Sequence, residues 1–279
     1  MQSLNCAGKN IDLSIPQVMG ILNVTPDSFS DGGLYTSMDA AVNAAQQMCD
    51  AGAAFIDIGG ESTRPGAQPV SVDEEKRRVI PLIEKLKQQD IGAVISVDTS
   101  KPEVMKCAVE AGAGLINDVC ALSVPAALET VVQLDVPVCI MHMQGEPRTM
   151  QNKPVYNDVV EDVSQYLQQR IDACLAAGIS KHNIVIDPGF GFGKTVEQNF
   201  SLLKNLKQLS QSGVPVLAGL SRKSMLGAIL DKEPMQRLSG SIAAACFAMM
   251  NGASILRVHD VAETIDAVKI YTAMTNAGE

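Results

Sequence analysis

Tryptophan is absent from this chain, and four Tyr and six Phe are its only other aromatic rings. Proteins that hold nucleic acid without sequence preference stack bases on aromatics along a basic groove. With a net charge of −9, this chain is repelled by phosphate backbones and anionic membranes alike. No nucleic-acid or membrane partner is expected. Zinc-type ligands are equally ill placed. Three His are scattered, and the seven Cys lie far apart, the closest pair being Cys107 and Cys120. Without a C-x-x-C spacing there is neither a zinc signature nor a disulfide framework. Reduced thiols imply a cytoplasmic setting. The first residues, MQSLNCAGKNIDLS, carry neither a basic nor an apolar leader region, and no apolar run is long enough to span a bilayer.

Apolar side chain, in contrast, is plentiful: 46% of 279 residues are hydrophobic. That suits one large core, and single α/β barrels run to about 250 residues, so one domain covering 1–279 is expected. Eight short runs rich in β-branched residues recur along the chain. They are Val18–Val24, Ala54–Ile58, Ala93–Val97, Gly114–Asn117, Val136–Met141, Asn183–Ile186, Val214–Gly219 and Ser254–Val258. Each is apolar throughout, the mark of a strand covered on both faces. Helical stretches separate them. Ser71-x-x-Glu74 reads as a capping box, Ser100 with Pro102 as a second helix start, and Gly52, Gly112, Gly178 and Gly252 as helix stops. Eight strands alternating with helices predict a (β/α)₈ TIM barrel. Gly8, between two short alternating runs, predicts an N-terminal β-hairpin closing the barrel bottom. Long Gly/Pro/Ser-rich loops follow the first two strands, over 25–36 and 59–70, on the face where barrel enzymes place their chemistry.

Every predicted strand ends in a group with chemistry. Asn23 follows the first; Glu61, Thr63 and Arg64 the second; Asp98 ends the third; Asn117 and Asp118 end the fourth. Met141 and His142 end the fifth, Asp187 follows the sixth, Ser221, Arg222 and Lys223 the seventh, and Arg257 and His259 the eighth. Burying such groups unpaired costs several kcal/mol each, on the order of 2–7, so a ligand is the economical explanation. Arg64, Lys223, Arg257 and His259 gather positive charge in an acidic chain and suit a phosphate or pyrophosphate. Asp98, Asn117 and Asp187 suit a flat heterocycle offering N–H donors and an acceptor. Asn23, a neutral oxygen donor beside those cations, suits Mg²⁺ shared with phosphate oxygens and water.

Plainer readings stand beside these. His142 is as well read as a core histidine, His182 as a surface residue at the far end of the barrel, Asp57 as structural and internal to the barrel, Glu61 as a partner of Arg64 or a loop cap, and Arg222 as an outward helix cation. The Met-rich stretch Met235–Met250 reads as core or subunit interface. Residues 189–195, GFGFGKT, resemble a P-loop ending, but the first glycine of that motif would fall on Pro188.

The motifs GILNVTPDSFSDGG (20–33), DIGGESTRPG (57–66), SVDT (96–99), NDV (117–119), HMQG (142–145), DPGFGFGK (187–194), SRKS (221–224) and RVHD (257–260) together resemble the dihydropteroate synthase family, in that family's order and across nearly the whole chain. The resemblance implies condensation of a dihydropterin pyrophosphate with p-aminobenzoate, Mg²⁺ as cofactor, a homodimer and sensitivity to sulfonamides. It also implies roles for individual residues. Asp98, Asn117, Met141, Asp187, Lys223 and Arg257 would hold the pterin, and Asn23, Thr63, Arg257 and His259 the pyrophosphate or its Mg²⁺. Phe29, Thr63, Arg64, Pro65, Phe192 and Ser221 would shape the p-aminobenzoate pocket. Asp98, Lys223, Arg257 and Asp31 would act in catalysis. Two other readings share a pterin pocket: a methyltetrahydrofolate–corrinoid methyltransferase-like barrel, which needs no pyrophosphate clamp, and a non-catalytic pterin-binding module.

Overall fold

Ala7 and Gly8 take positive φ, 51° and 91°, and turn the chain back between β1 (Ser3–Cys6) and β2 (Lys9–Asp12), an antiparallel hairpin. The computed structural model describes residues 3–24, 34–62, 67–145, 150 and 154–277. Beyond the hairpin, strand and helix alternate: β3 (Gln17–Asn23), α1 (Leu34–Asp50), β4 (Phe55–Gly59), α2 (Val72–Gln88), β5 (Val94–Asp98), α3 (Pro102–Ala111), β6 (Leu115–Asp118) and α4 (Ala127–Leu134). The second half runs β7 (Val138–Met141), α5 (Val159–Ala176), β8 (Ile184–Asp187), α6 (Val196–Lys204), α7 (Leu206–Ser210), β9 (Leu217–Ala218), α8 (Ser224–Leu230), α9 (Leu238–Met250), β10 (Ile255–Val258) and α10 (Val261–Thr275).

The eight strands β3 to β10 pair in parallel in the order β8-β7-β6-β5-β4-β3-β10-β9. A bridge between Ile186 and Val216 joins the two ends, so the sheet closes as the expected (β/α)₈ barrel. β9 is shorter than its apolar run. Pro215 has no N–H to give the ladder, and only its carbonyl is used, accepting from the Ile186 N–H at 3.0 Å.

Alternation along the strands decides what the interior contains. The lower inward positions are Met19, Phe55, Val94, Leu115, Cys139, Val185, Leu217 and Ile255, one from each strand. They form one buried cluster with Leu4, Cys6, Ile11 and Leu13 of the hairpin and its exit, which plug the bottom as expected. Two residues further along the same strands, the inward positions include Asp57, Ser96, Asn117, Met141, Asp187 and Arg257. The runs are thus covered on both faces, yet the inner face turns polar halfway up. Outward residues such as Val18, Ile58, Val97, Ile140 and Ile186 pack under the helices in a separate core.

Two helix starts differ from the motif reading. Ser71 accepts the Glu74 N–H at 3.2 Å, but the Glu74 carboxylate turns to Arg77 and Arg78 instead of completing the box. The complete capping box is at Thr195 and Gln198, opening α6. Ser100 does not cap α3; it donates to Asp118, and Pro102 starts the helix behind Lys101. The four helix-stop glycines all take positive φ, between 92° and 124°.

Leu4 is fully buried in the plug, and Leu→Ala truncations at such sites cost about 2–5 kcal/mol. Leu4→Ala should lower the urea unfolding midpoint accordingly while leaving ligand affinity at the upper rim unchanged. A loss of affinity without a loss of stability would contradict the separation of plug and rim.

Candidate active site

Asp57 is the centre of the polar layer. It is completely buried and accepts three hydrogen bonds: from Ser96 Oγ at 2.6 Å, Asn117 Nδ2 at 3.0 Å and Arg257 Nε at 2.6 Å. The register of β4 against β5 sets Asp57 beside Ser96. Arg257 enters from β10 across the barrel, and its Nη2 reaches Asp98 Oδ2 at 2.7 Å. One guanidinium therefore spans two carboxylates, in the fork geometry that arginine suits. These carboxylates raise the Arg257 pKa further, against the pull of burial. Burial pushes the Asp98 carboxyl upward, Arg257 opposes it, and the nearby Asp57 adds to the rise.

Above this layer the groups are open. Asp187 accepts the Gly189 N–H at 2.7 Å through Oδ1, and burial pushes its pKa up. Among the described residues its second oxygen accepts nothing. The Lys223 ammonium lies 4.2 Å from the centre of the Phe192 ring, a cation–π contact. Burial lowers the Lys223 pKa to about 8, with Asp187 opposing. Met141, paired in register with Asp187, supplies buried apolar surface beside it. Asn23, at the end of β3, faces Gly59 and the Asp98 side; among the described residues its amide has no hydrogen-bond partner.

The loop after β9 meets the loop after β10. Ser221 Oγ lies 3.1 Å from His259 Nδ1 and accepts the His259 N–H at 3.2 Å. Ser221, expected at the p-aminobenzoate pocket, thus touches the group expected at the pyrophosphate. Burial, then Arg222 and Arg257, push His259 down to about 4. Arg222 is not an outward helix cation: it precedes α8 at φ 57° and is ion-paired with Asp260.

Other candidates resolve into structural roles. His142 is a core residue, edge-on to Tyr166 with ring centres 4.9 Å apart, and burial pushes it down to about 3. Glu61 ties its loop by accepting from Val70 N–H and pairing with Lys101. His182 lies exposed before β8, at the opposite end of the barrel from the polar rim. Phe29, Asp31, Thr63, Arg64 and Pro65 lie outside the described residues. Asp57, read as structural and internal to the barrel, is both: it is fully buried and holds Arg257 and Asn117. Lys194, in the segment rejected as a P-loop, was given no role of its own by the sequence reading.

The family of pterin binding enzymes matches residues 19–259. The Haemophilus influenzae dihydropteroate synthase is 56% identical over 269 residues, covering 96% of this chain and 98% of that protein. The chain belongs to the dihydropteroate synthase family. Solved structures agree. The Xanthomonas albilineans dihydropteroate synthase with 4-aminobenzoic acid superposes with a TM-score of 0.94 at 53% identity, covering 99% of both chains. The same organism's dihydropteroate synthase in complex with 7,8-dihydropteroate gives 0.90 at 50% identity, again covering 99% of both. The family assignment makes Asp57, at the base of the site, a residue to test.

Asp57→Asn turns a carboxylate oxygen into a donor facing the donors of Arg257 and Asn117. Removing one partner of a buried ion pair costs about 3–5 kcal/mol, so denaturant unfolding should show a loss of that size; a near-neutral change would remove Asp57 as the anchor. His259 gives a pH test. Folded, it binds its proton near pH 4; unfolded, near 6.5. Unfolding therefore takes up a proton between those values, and this residue subtracts stability as pH falls through that window. Urea midpoints from pH 7 to 4.5 should fall less steeply in His259→Gln than in the parent protein; equal slopes would mean His259 is not held neutral.

Proposed function

We propose that this chain condenses 6-hydroxymethyl-7,8-dihydropterin pyrophosphate with p-aminobenzoate, giving 7,8-dihydropteroate and pyrophosphate. The observation that carries the reading is the open Asp187 oxygen beside the Lys223 ammonium, above an Asp57–Arg257–Asp98 base. A pterin offers an amino group and ring N–H to Asp187 and a ring carbonyl and nitrogen to Lys223 and Asn117. Arg257 and Met141 bound the ring. Arg257 and His259 face the pyrophosphate, and an anion there offsets the burial that keeps His259 neutral.

Asn23 fits a Mg²⁺ held mainly by pyrophosphate oxygens and water, since among the described residues no cluster of three His, Cys, Asp or Glu could hold a metal. When bound, Mg²⁺ would neutralise leaving-group charge. The methylene C–O bond breaks with its electron pair passing to pyrophosphate, leaving a dihydropterin cation that Asp98 stabilises electrostatically. The arylamine lone pair then forms the C–N bond and its nitrogen releases a proton. An aniline nitrogen is already a free base at neutral pH, so the step needs no strong general base. Phe192, Ser221 and the loop residues Phe29, Thr63, Arg64 and Pro65 would frame p-aminobenzoate, with Asp31 assisting. Sulfonamides, which mimic p-aminobenzoate, would compete there.

The chain would work in the cytoplasm as a homodimer. No helix among the described residues is long and apolar enough to cross a membrane. Ile229, Met235, Phe247, Met250, Ile270 and Met274 are exposed apolar side chains on α8, α9, α10 and the turn between α8 and α9, a face suited to a second copy.

The test is pyrophosphate release, with and without p-aminobenzoate. Release coupled to dihydropteroate formation is expected; pterin binding with no release would favour a non-catalytic binding module. Asp187→Asn should weaken binding of a pterin analogue by about 2–4 kcal/mol, through a donor set against a donor. Unchanged affinity in calorimetry would remove Asp187 from the pterin site.

A further inference from the structure

The rejected P-loop segment holds a buried lysine that the reaction does not use. Lys194 is 3% exposed. Its ammonium donates to the carbonyl oxygens of Gly189 and Phe192, each at 2.9 Å, and lies 3.0 Å from His142 Nδ1. The His142 carbonyl, at 3.4 Å, is a fourth neighbour. Acceptors outnumber the three ammonium protons, so each has a partner. Among the described residues Lys194 has no ion-pair partner within 4 Å. Burial lowers the Lys194 pKa to about 7, yet the amine spends its hydrogen bonds on loop carbonyl oxygens, which makes it a structural clamp.

What it clamps is a loop without slack. Gly189 and Gly191 take φ of 68° and 80°. A Cβ on Gly189 would lie 1.9 Å from the His142 carbonyl oxygen, and one on Gly191 would lie 3.1 Å from Lys223 Cδ. The loop therefore lies against the β7 exit on one side and Lys223 on the other. At its far end Tyr156 donates to the Gly193 carbonyl at 2.7 Å. Phe192 lies within this curl, its carbonyl on Lys194 and its ring against Lys223.

We infer that Lys194 is a positioning residue for the second substrate: by binding the carbonyls of the β7 and β8 exit loops, it sets the Phe192 ring against Lys223 and so shapes the wall that receives the arylamine. This rests on the reading that Phe192 lines the p-aminobenzoate pocket. Asp187 accepts the Gly189 N–H of the clamped loop, but it is anchored at the end of β8 by the strand ladder, so the pterin end should feel the clamp less.

Lys194→Met keeps the stem and removes the donors. Its KM for p-aminobenzoate should rise at least tenfold, while affinity for a pterin analogue changes less than threefold. In a double-mutant cycle with Phe192→Ala, the Lys194 effect on that KM should largely vanish, because Lys194 acts through Phe192. A fall in melting temperature with KM unchanged, or full additivity with Phe192→Ala, would overturn the inference. If Phe192→Ala itself leaves KM unchanged, the aryl-pocket reading fails first. Should Lys194→Met not fold, Tyr156→Phe loosens the same loop from outside. A two- to threefold rise in KM would support the clamp, and no change would overturn it.

Discussion

Asp57, sealed from solvent at mid-height in the barrel, holds Arg257, Asn117 and Ser96 on one carboxylate. Through Arg257 the same carboxylate fixes Asp98. Residues from β4, β5, β6 and β10 are thereby locked into one unit before any ligand arrives. A buried ion pair of this kind is poor evidence for stability, because desolvation offsets much of the attraction. Its value here is geometric. Asp98 and Arg257 are presented upward without needing to reorganise, which is what a site acting by electrostatic stabilisation requires.

That unit is possible because the barrel divides its interior by height. The lower inward layer, sealed by Leu4, Cys6, Ile11 and Leu13, is apolar and carries the packing. The layer above carries the charge. Strand period fixes the division, since Asp57 lies two positions beyond Phe55, Ser96 two beyond Val94 and Arg257 two beyond Ile255. Lys194 applies a similar solution outside the barrel, stiffening two loops with carbonyl oxygens where no strand ladder is available.

The strands, the hairpin and the rim residues were legible in the sequence because each depends on local pattern. Apolar runs between helix stops locate strands whatever they pair with. Asn23, Asp98, Asn117, Asp187, Lys223, Arg257 and His259 were singled out because polar groups at strand ends in an apolar chain call for a ligand, and the barrel places them on its upper rim. The partners of Asp57, Lys194 and Arg222 were not legible, and Arg222 was misread as an outward cation. Each sits inside a motif, but its partner lies far away in the chain, 200 residues for Arg257 with Asp57 and 52 for Lys194 with His142. Ser100 failed as a cap for the same reason, drawn to Asp118, whereas Glu74 was taken by its own helix neighbours Arg77 and Arg78.

Local pattern, composition and the order of motifs alone determined the barrel class, the acidic chain with its cations gathered at strand ends, and the family resemblance. Which carboxylate Arg257 binds, that His142 is core while His259 touches Ser221, and that Lys194 grips its own loop were decided only by tertiary structure. Side-chain type limits what a residue can bind. Closing the barrel chooses among those options, because only closure sets the distances over which charge and hydrogen bonds act.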